Sequence, residues 1–273
     1  MNNYKHSIIG VNAYGLRYLL ANGVMKTIAS IKDCGLDAIE PMVIVDDSLN
    51  SNDKYPNVVW DRKYLYEVIK ESSKLDIVIP SIHCLYNQTT DPLVIGKKIN
   101  EIYENTGISS FVFADYTLKT IEQCEKLTNT LNQIMSVVRK EVMILYHPHE
   151  NEFVCFDNKY LLDILLEKCP TLMIQADMGW IYFAKVEPLT YMYTIKNRVR
   201  MLHFKDLIPD FGPANRKNSF TAVGKGVVGY KEILQHINDF PLNEYCLTIC
   251  QDNSNEDLLE DLRYGAAFIR EQL

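Results

Sequence analysis

The chain has 273 residues, of which 47% are hydrophobic and 23% charged, and its formal net charge is −7. This composition is that of an ordinary globular protein and excludes a disordered or fibrous chain. The acidic balance also disfavours a nucleic-acid partner, because proteins that bind nucleic acids present a basic surface.

The amino-terminal residues lack the long apolar stretch of a signal peptide, and no later run approaches the roughly 18 apolar residues of a membrane helix. The 7 cysteines are scattered without CxxC spacing, which indicates reduced thiols rather than a disulfide framework. We therefore expect a cytoplasmic protein with no membrane partner. The sequence leaves a homo-oligomer open.

Short apolar runs alternate along the chain with segments of helical period. The predicted strands are Ser7–Asn12, Ala38–Met42, Ile77–His83, Phe111–Tyr116, Val142–His147, Leu172–Asp177, Val199–Asp206 and Tyr245–Gln251. Most are continuously apolar, as in strands buried on both faces of a parallel sheet. The predicted helices include Val24–Cys34, Ile121–Arg139, Lys159–Glu167, Tyr230–Ile237 and Glu256–Arg270.

This alternation continues along the whole chain with no linker or break in composition. Eight strand–helix units predict a single-domain (β/α)8 TIM barrel over residues 1–273 rather than an open doubly wound sheet. The absence of a glycine-rich phosphate fingerprint after the first predicted strand also disfavours a dinucleotide-binding fold.

Ionisable residues accumulate at the carboxyl ends of the predicted strands, where the active sites of such barrels lie. They are Glu40, His83, Asp115, His147, Asp177, His203, Lys205 and Asp206. A polar side chain in an apolar strand needs a partner or a function. For each of them a structural role, such as a salt bridge, a hydrogen bond in the barrel mouth or a helix cap, is the alternative.

His147, Asp177 and His203 end consecutive predicted strands. Adjacent strands lie about 4.8 Å apart, so these side chains can converge on one ion or one substrate hydroxyl. Two imidazoles and a carboxylate suit zinc, manganese or iron. Without an ion, the same histidines can act as general acid and base. The residues alone leave both alternatives open.

Five segments carry a family resemblance. They are YHPHENEF (146–153), IQADMGW (174–180), HFKD (203–206), VGKGVVGYKEIL (223–234) and TICQDNS (248–254). In this order and spacing they resemble the HNH-type, D-x-G-W, H-x-K-D and V-G-x-G segments of the sugar phosphate isomerase/epimerase superfamily, the xylose-isomerase-like TIM barrels. The resemblance covers essentially the whole chain.

The resemblance implies a divalent metal site (Mn, Zn or Co) built from His147, Asp177, His203 and Cys250. Family members with well-formed sites use Glu, Asp, His and Glu from strands five to eight. Asp177 and His203 match this pattern, whereas both glutamates are missing, at or beside His147 and at Cys250. Cys250 is then either a thiolate ligand or a small apolar residue in a site that has lost its metal.

The remaining candidates fall into two groups. We expect catalytic roles for His149, Glu152, Lys205 and His83, and substrate-binding roles for Glu40, Trp180 and Asp115. His149 is the candidate general base or acid, and Lys205 can neutralise a developing oxyanion. The ring of Trp180 can pack against the C–H face of a sugar.

The resemblance implies a carbohydrate substrate and an isomerase or epimerase that removes a proton next to a carbonyl of a sugar, sugar phosphate or keto-sugar. The missing glutamate pair keeps two alternatives open, namely an inosose-dehydratase type of lyase and a non-catalytic sugar-binding barrel. Metal-assisted hydrolysis of DNA, as in the AP endonucleases of the superfamily, is disfavoured by the acidic charge.

Overall fold

The computed structural model describes residues 8–49, 62–243 and 247–273. The strands are β1 (Ile9–Asn12), β2 (Ala38–Glu40), β3 (Met42–Ile44), β4 (Ile82–Leu85), β5 (Ser110–Phe113), β6 (Met143–Tyr146), β7 (Cys155–Phe156), β8 (Lys159–Tyr160), β9 (Met173–Asp177), β10 (Val199–Phe204), β11 (Asp206–Leu207), β12 (Phe220–Thr221) and β13 (Leu247–Ile249). Short 3₁₀ turns cover Glu150–Phe153, Lys196–Arg198, Pro213–Asn218 and Ile237–Asp239.

Helices follow most of the strands and form the outer layer. They are α1 (Arg17–Asn22), α2 (Val24–Asp33), α3 (Arg62–Ser73), α4 (Pro92–Thr106), α5 (Ile121–Val137), α6 (Leu161–Lys168), α7 (Met178–Phe183), α8 (Pro188–Thr194), α9 (Tyr230–Gln235) and α10 (Leu258–Gln272). Their starts are fixed locally. Asp91 and Asp257 cap α4 and α10 through their side chains, and Thr120 forms a capping box with Gln123 before α5.

The main sheet is entirely parallel, and its strand order is β2-β1-β13-β10-β9-β6-β5-β4-β3. Strands β2 and β3 are two halves of one barrel strand separated by Pro41. The first half pairs with β1, and the second half pairs with β4. Because the two halves together pair with β1 on one edge and with β4 on the other, they close the sheet into the predicted single-domain TIM barrel.

The eight predicted strands correspond to the eight barrel strands, but several bounds differ. The third barrel strand is Ile82–Leu85 rather than Ile77–His83, so His83 lies inside the strand and not at its end. Before it, Val78 makes only an isolated bridge to Ala38. Asp115 lies beyond the end of the next strand, which stops at Phe113.

The helix predictions also shift at their ends. The predicted helix Lys159–Glu167 begins only at Leu161, because Lys159–Tyr160 is a short antiparallel strand paired with Cys155–Phe156. Two predicted strand starts, Ser7 and Tyr245, lie outside the described residues. Within the described ranges, no helix has the length and apolar character needed to cross a membrane.

Side chains that point into the barrel alternate with those that pack under the helices, because successive residues of a strand face opposite sides. Val112, Leu145 and Met201 form a small buried cluster apart from the main core. Two residues further along the same strands, on the same face, come His147 and His203. The barrel interior is therefore apolar below and polar toward the carboxyl ends of the strands.

Candidate functional site

A cavity of about 620 Å³ opens at the carboxyl ends of the barrel strands. Its volume is in the usual range for a small-molecule site. Seven of the eleven predicted site residues line it, and the other four, Glu40, Asp115, Glu152 and Asp177, do not. The structure therefore gathers most of the predicted residues in one place.

The floor of the site is organised around the Glu40 carboxylate, which is fully buried. Its Oε1 accepts hydrogen bonds from Ser81 Oγ at 2.5 Å and Gln175 Nε2 at 2.6 Å. Its Oε2 accepts from Asn12 Nδ2 at 2.8 Å and lies 2.8 Å from His203 Nε2. Burial raises the pKa of Glu40, but the adjacent imidazoles and these hydrogen bonds outweigh burial and hold it below its ordinary value.

Gln175 links this carboxylate to two histidines. Its Oε1 lies 3.0 Å from both His83 Nε2 and His147 Nδ1, and its Nε2 donates to Glu40. An amide oxygen can accept two hydrogen bonds, so these two contacts fix the ring orientations of both histidines. The sequence analysis missed Gln175, although a lone polar residue two positions before Asp177 in an apolar strand was a usable signal.

Three histidine rings lie against one another above this floor. The ring centroid of His147 is 5.0 Å from that of His83 and 4.8 Å from that of His203. Burial lowers the pKa of His83 and lowers that of His147 well below its usual range, and in His147 the neighbouring His203 adds to the effect. Neutral imidazoles at pH 7 are the form that binds metal or accepts a proton.

Asp177 ends β9 and caps α7, because its Oδ1 accepts the backbone N–H of Trp180 at 2.9 Å. Its Oδ2 is buried, has no hydrogen-bond partner among the described residues, and lies 3.7 Å from His147 Nε2. Burial raises the pKa of Asp177 to about 6. The chain passes very close to β10 here, since a Cβ on Gly179 would come 2.2 Å from the Lys205 carbonyl oxygen. Glycine at 179 thus lets the turn hold Trp180 in the cavity wall.

His149 lies on the wall, and the Glu152 carboxylate lies behind it. Glu152 Oε2 accepts the backbone N–H of His149 at 3.1 Å, and its Oε1 accepts from Tyr146 Oη at 2.5 Å. Burial raises the pKa of Glu152 to about 8 and lowers that of His149 well below its usual range. His149 Nδ1 has no hydrogen-bond partner among the described residues. The imidazole therefore faces the cavity neutral, while the carboxylate does not reach it.

Lys205 is buried in the wall and carries its charge. Its Nζ donates to Asp252 Oδ1 at 2.5 Å and lies 4.5 Å from the Trp180 ring centre and 4.8 Å from that of Phe220. Burial lowers the pKa of Lys205, but Asp252 more than compensates and holds it above the usual value. The sequence analysis missed Asp252, because it lies past the strand end in an irregular turn.

The rim is formed partly by the 3₁₀ segment Pro213–Asn218. The guanidinium carbon of Arg216 lies 4.3 Å from the Trp180 ring centre, and the same group pairs with Glu150. Asp115 lies elsewhere on the rim, where its carboxylate accepts from Thr117 and Gln88. Its contacts are those of a turn residue. Asp206, in contrast, holds the loop before α9 by accepting four backbone N–H groups.

The donor set fits a divalent metal ion. Within the described residues, the ligand atoms of His83, His147 and His203 lie within 4.8 Å of one another, and so do those of Asp177, His203 and Cys250. Three imidazoles suit a catalytic zinc site, and a carboxylate behind a ligand histidine is a common support. Glu40 lies behind His203 in this way. The structure thus divides the four predicted ligands and adds His83, which was predicted as catalytic.

A family model described as a xylose isomerase-like TIM barrel matches residues 28–272. The chain belongs to this family. Members of the xylose isomerase-like family share the barrel described above, and the site in this chain lies at its carboxyl-terminal face.

The chain is also similar to individual proteins, but its sequence identity to them is low. A sugar phosphate isomerase/epimerase from Parabacteroides distasonis has a TM-score of 0.74 at 16% identity over 99% of this chain and 98% of its own. A probable 3-DHS dehydratase from Bacillus anthracis has a TM-score of 0.68 at 13% identity over 96% and 98%. Inosose dehydratase from Clostridium tetani is 24% identical over 163 residues, covering 55% of this chain and 53% of that protein. This chain therefore matches about half the length of its curated relative.

Proposed function

We propose that this barrel is an enzyme that removes a proton from the carbon next to a carbonyl in a small sugar or sugar derivative. The observation that carries the proposal is one cavity that presents a neutral imidazole, His149, together with a buried ammonium, Lys205. The first is suited to take the proton, and the second is suited to stabilise the negative charge that develops on the carbonyl oxygen.

His149 has the properties of the general base. It is buried and neutral, and its Nδ1 has no hydrogen-bond partner among the described residues. Its ring lies between those of Tyr116 and Trp180, with centroid distances of 4.3 and 5.6 Å. Glu152 accepts the His149 backbone N–H and so acts as a positioning residue behind the base rather than as a second base.

Lys205 has the properties of the electrostatic stabiliser. Asp252 fixes its ammonium at 2.5 Å, and the rings of Trp180 and Phe220 limit water around it. A charge held in place in a dry site stabilises an oxyanion without reorganisation at the moment of reaction. Trp180 also offers an apolar face for the C–H surface of a sugar.

A divalent ion fits the same site. His83, His147 and His203, or Asp177 and Cys250 with the shared His203, are the residues that would hold it. When bound, it would supply Lewis-acid polarisation of the substrate carbonyl.

The donor set favours isomerisation within this reaction class. Among the described residues lining the cavity, the sole carboxylate is that of Asp252, and Lys205 already binds it. No pair of free carboxylates faces the two sides of a substrate, as an exchange between opposite faces by two such bases would require. A single base such as His149 can move a proton between adjacent carbons on one face.

Dehydration is the second candidate, because it begins with the same proton removal. The match to inosose dehydratase over 55% of the chain favours it. In that reaction, the carbanion formed by proton loss expels hydroxide from the neighbouring carbon, and an acid supplies the proton that completes water.

The test is incorporation of solvent deuterium, followed by proton NMR, into a panel of aldoses, ketoses, their phosphates and inososes. We expect exchange at one carbon next to a carbonyl, together with an isomerised or dehydrated product. His149→Gln should slow exchange by about 10²- to 10⁴-fold, the usual contribution of a general base. His236 does not line the cavity, so His236→Gln is the matched control and should keep the wild-type rate.

Two results would contradict the proposal. Undiminished exchange in His149→Gln would remove His149 as the base. Saturable sugar binding with no exchange in any panel member would identify a non-catalytic sugar-binding barrel.

A further inference from the structure

Cys250 stands directly after β13, where its side chain lines the cavity and is 6% exposed. Its sulfur is one of three potential ligand atoms that lie within 4.8 Å of one another, the others coming from Asp177 and His203. A cysteine alone does not define a site. Its neighbours, however, are a buried carboxylate and a buried imidazole, each with a polar atom that has no hydrogen-bond partner among the described residues.

The unpartnered atoms are the second observation. Asp177 is fully buried, its Oδ1 caps α7, and its Oδ2 has no hydrogen-bond partner in the part of the chain that the structure describes. His203 is also fully buried, and its Nδ1 has no hydrogen-bond partner among the described residues, whereas its Nε2 is paired with Glu40 Oε2 at 2.8 Å. A buried polar atom that is left unpaired destabilises the fold. A bound cation would satisfy these atoms.

The imidazole group of His83, His147 and His203 is the competing location. There, Gln175 Oε1 already lies 3.0 Å from a ring nitrogen of both His83 and His147. The Glu40 carboxylate beside His83 and His203 already accepts hydrogen bonds from three neutral side chains. The Asp177 carboxylate and a Cys250 thiolate, in contrast, can both bind a divalent cation directly and balance its charge. A buried ion needs such compensation.

We propose that Asp177, His203 and Cys250 bind one divalent ion, and that the Cys250 sulfur makes the site selective for zinc-like metals over manganese and magnesium. Thiolate ligands favour zinc, whereas oxygen ligands suit magnesium and manganese. As the sulfur–metal bond forms, the thiol proton leaves to solvent. The inference deepens the proposed function by naming the metal that the same site would use.

The test uses cobalt(II) as a spectroscopic substitute for zinc in the metal-free full-length protein. We expect one cobalt ion per chain and a near-ultraviolet thiolate-to-cobalt charge-transfer band that zinc chloride abolishes by displacement. Cys250→Ser should lose the band, and its zinc affinity should fall by more than about 100-fold, because a direct ligand contributes more than the 10–100-fold of an outer-shell partner. The exposed Cys155→Ser is the thiol control and should keep both.

Two further variants locate the ion. Cys250→Glu replaces sulfur by a carboxylate and should shift preference from zinc toward manganese, measured by competition between the two metal salts. His83→Gln should leave the cobalt band and the zinc affinity within about threefold of wild type, because His83 belongs to the competing group. Circular dichroism of each variant verifies the fold.

The inference is overturned if the wild-type cobalt complex has no sulfur band, if Cys250→Ser keeps it, or if His83→Gln abolishes zinc binding. Failure to bind cobalt or zinc at all would overturn it as well. None of these readouts measures turnover. A barrel that exchanges substrate deuterium without binding these metals therefore retains the proposed function and loses this inference, and a metal-binding barrel without exchange does the reverse.

Discussion

Glu40→Gln tests whether the buried carboxylate is the centre of the polar network. The substitution keeps the shape of the side chain, but replaces one acceptor oxygen by an NH₂ group. In the wild type, the side-chain atoms within 2.8 Å of the Glu40 carboxylate are hydrogen-bond donors or a ring nitrogen. They belong to Ser81, Gln175, Asn12 and His203. Whichever way the new amide turns, its NH₂ group faces another donor.

The magnitude follows from the number of groups left unpaired. At least two buried donors, the new NH₂ group and the one facing it, lose their acceptor at about 1–3 kcal/mol each. Together with the lost negative charge beside His203, we expect Glu40→Gln to lower the free energy of unfolding by about 3–5 kcal/mol at pH 7, the range for breaking a buried pair from one side.

The assay is urea unfolding followed by far-ultraviolet circular dichroism, with the midpoints compared at pH 7. Glu104→Gln, which removes one partner of an exposed ion pair with Arg139, is the control and should not shift the midpoint. Since the pKa of Glu40 is lower in the folded chain than in the unfolded one, its contribution is present above the unfolded value of about 4.3 and is lost as pH falls. The difference between wild type and Glu40→Gln should therefore narrow in acid. A midpoint equal to that of Glu104→Gln at pH 7 would refute this reasoning.

Two other predictions concern Glu152 and Lys205. The folded chain retains the Glu152 proton up to a pKa of about 8, whereas the unfolded chain loses it near a pKa of about 4.3. The wild-type free energy of unfolding should therefore decrease as the pH rises from about 4.3 to about 8. Glu152→Gln should flatten this fall in urea titrations repeated across the window, and an unchanged slope would contradict the raised pKa. Lys205→Met should lower kcat by about 10²- to 10³-fold, as for loss of an oxyanion donor, in initial-rate assays on the substrate identified by deuterium exchange. Lys205→Arg, which keeps the charge, should lose less, and equal losses in both would argue for a packing role.

The fold and the site residues at the strand ends were predictable, because both depend on short-range patterns of apolar and polar residues in the sequence. Continuous apolar runs identified the buried parallel strands, and the polar residues that end them had to meet at one edge of the sheet. His147, Asp177 and His203 follow from this rule alone. His83 was found for the same reason, even though its strand begins five residues later than predicted.

The hydrogen bonds in the floor of the site were not predictable in this way, because they join distant parts of the chain. Gln175 joins Glu40, His83 and His147 across the barrel, and no local pattern reports these distances. Asp252 lies in an irregular turn whose path is set by tertiary packing. Glu152 was predicted as a catalytic residue, whereas its carboxylate accepts the backbone N–H of His149 and lies behind that residue.

The hydrogen-bond network beneath the cavity also limits which residues of such a site can change during evolution. Its members share acceptors and donors, so that exchanging one of them leaves another unmatched, and a tolerated change at Gln175 or Glu40 requires a simultaneous change at a partner. Lys217 on the rim does not belong to this network, so it can be exchanged by itself. Successive single mutations can therefore alter which molecule enters the cavity much more readily than the arrangement of histidines that meets it.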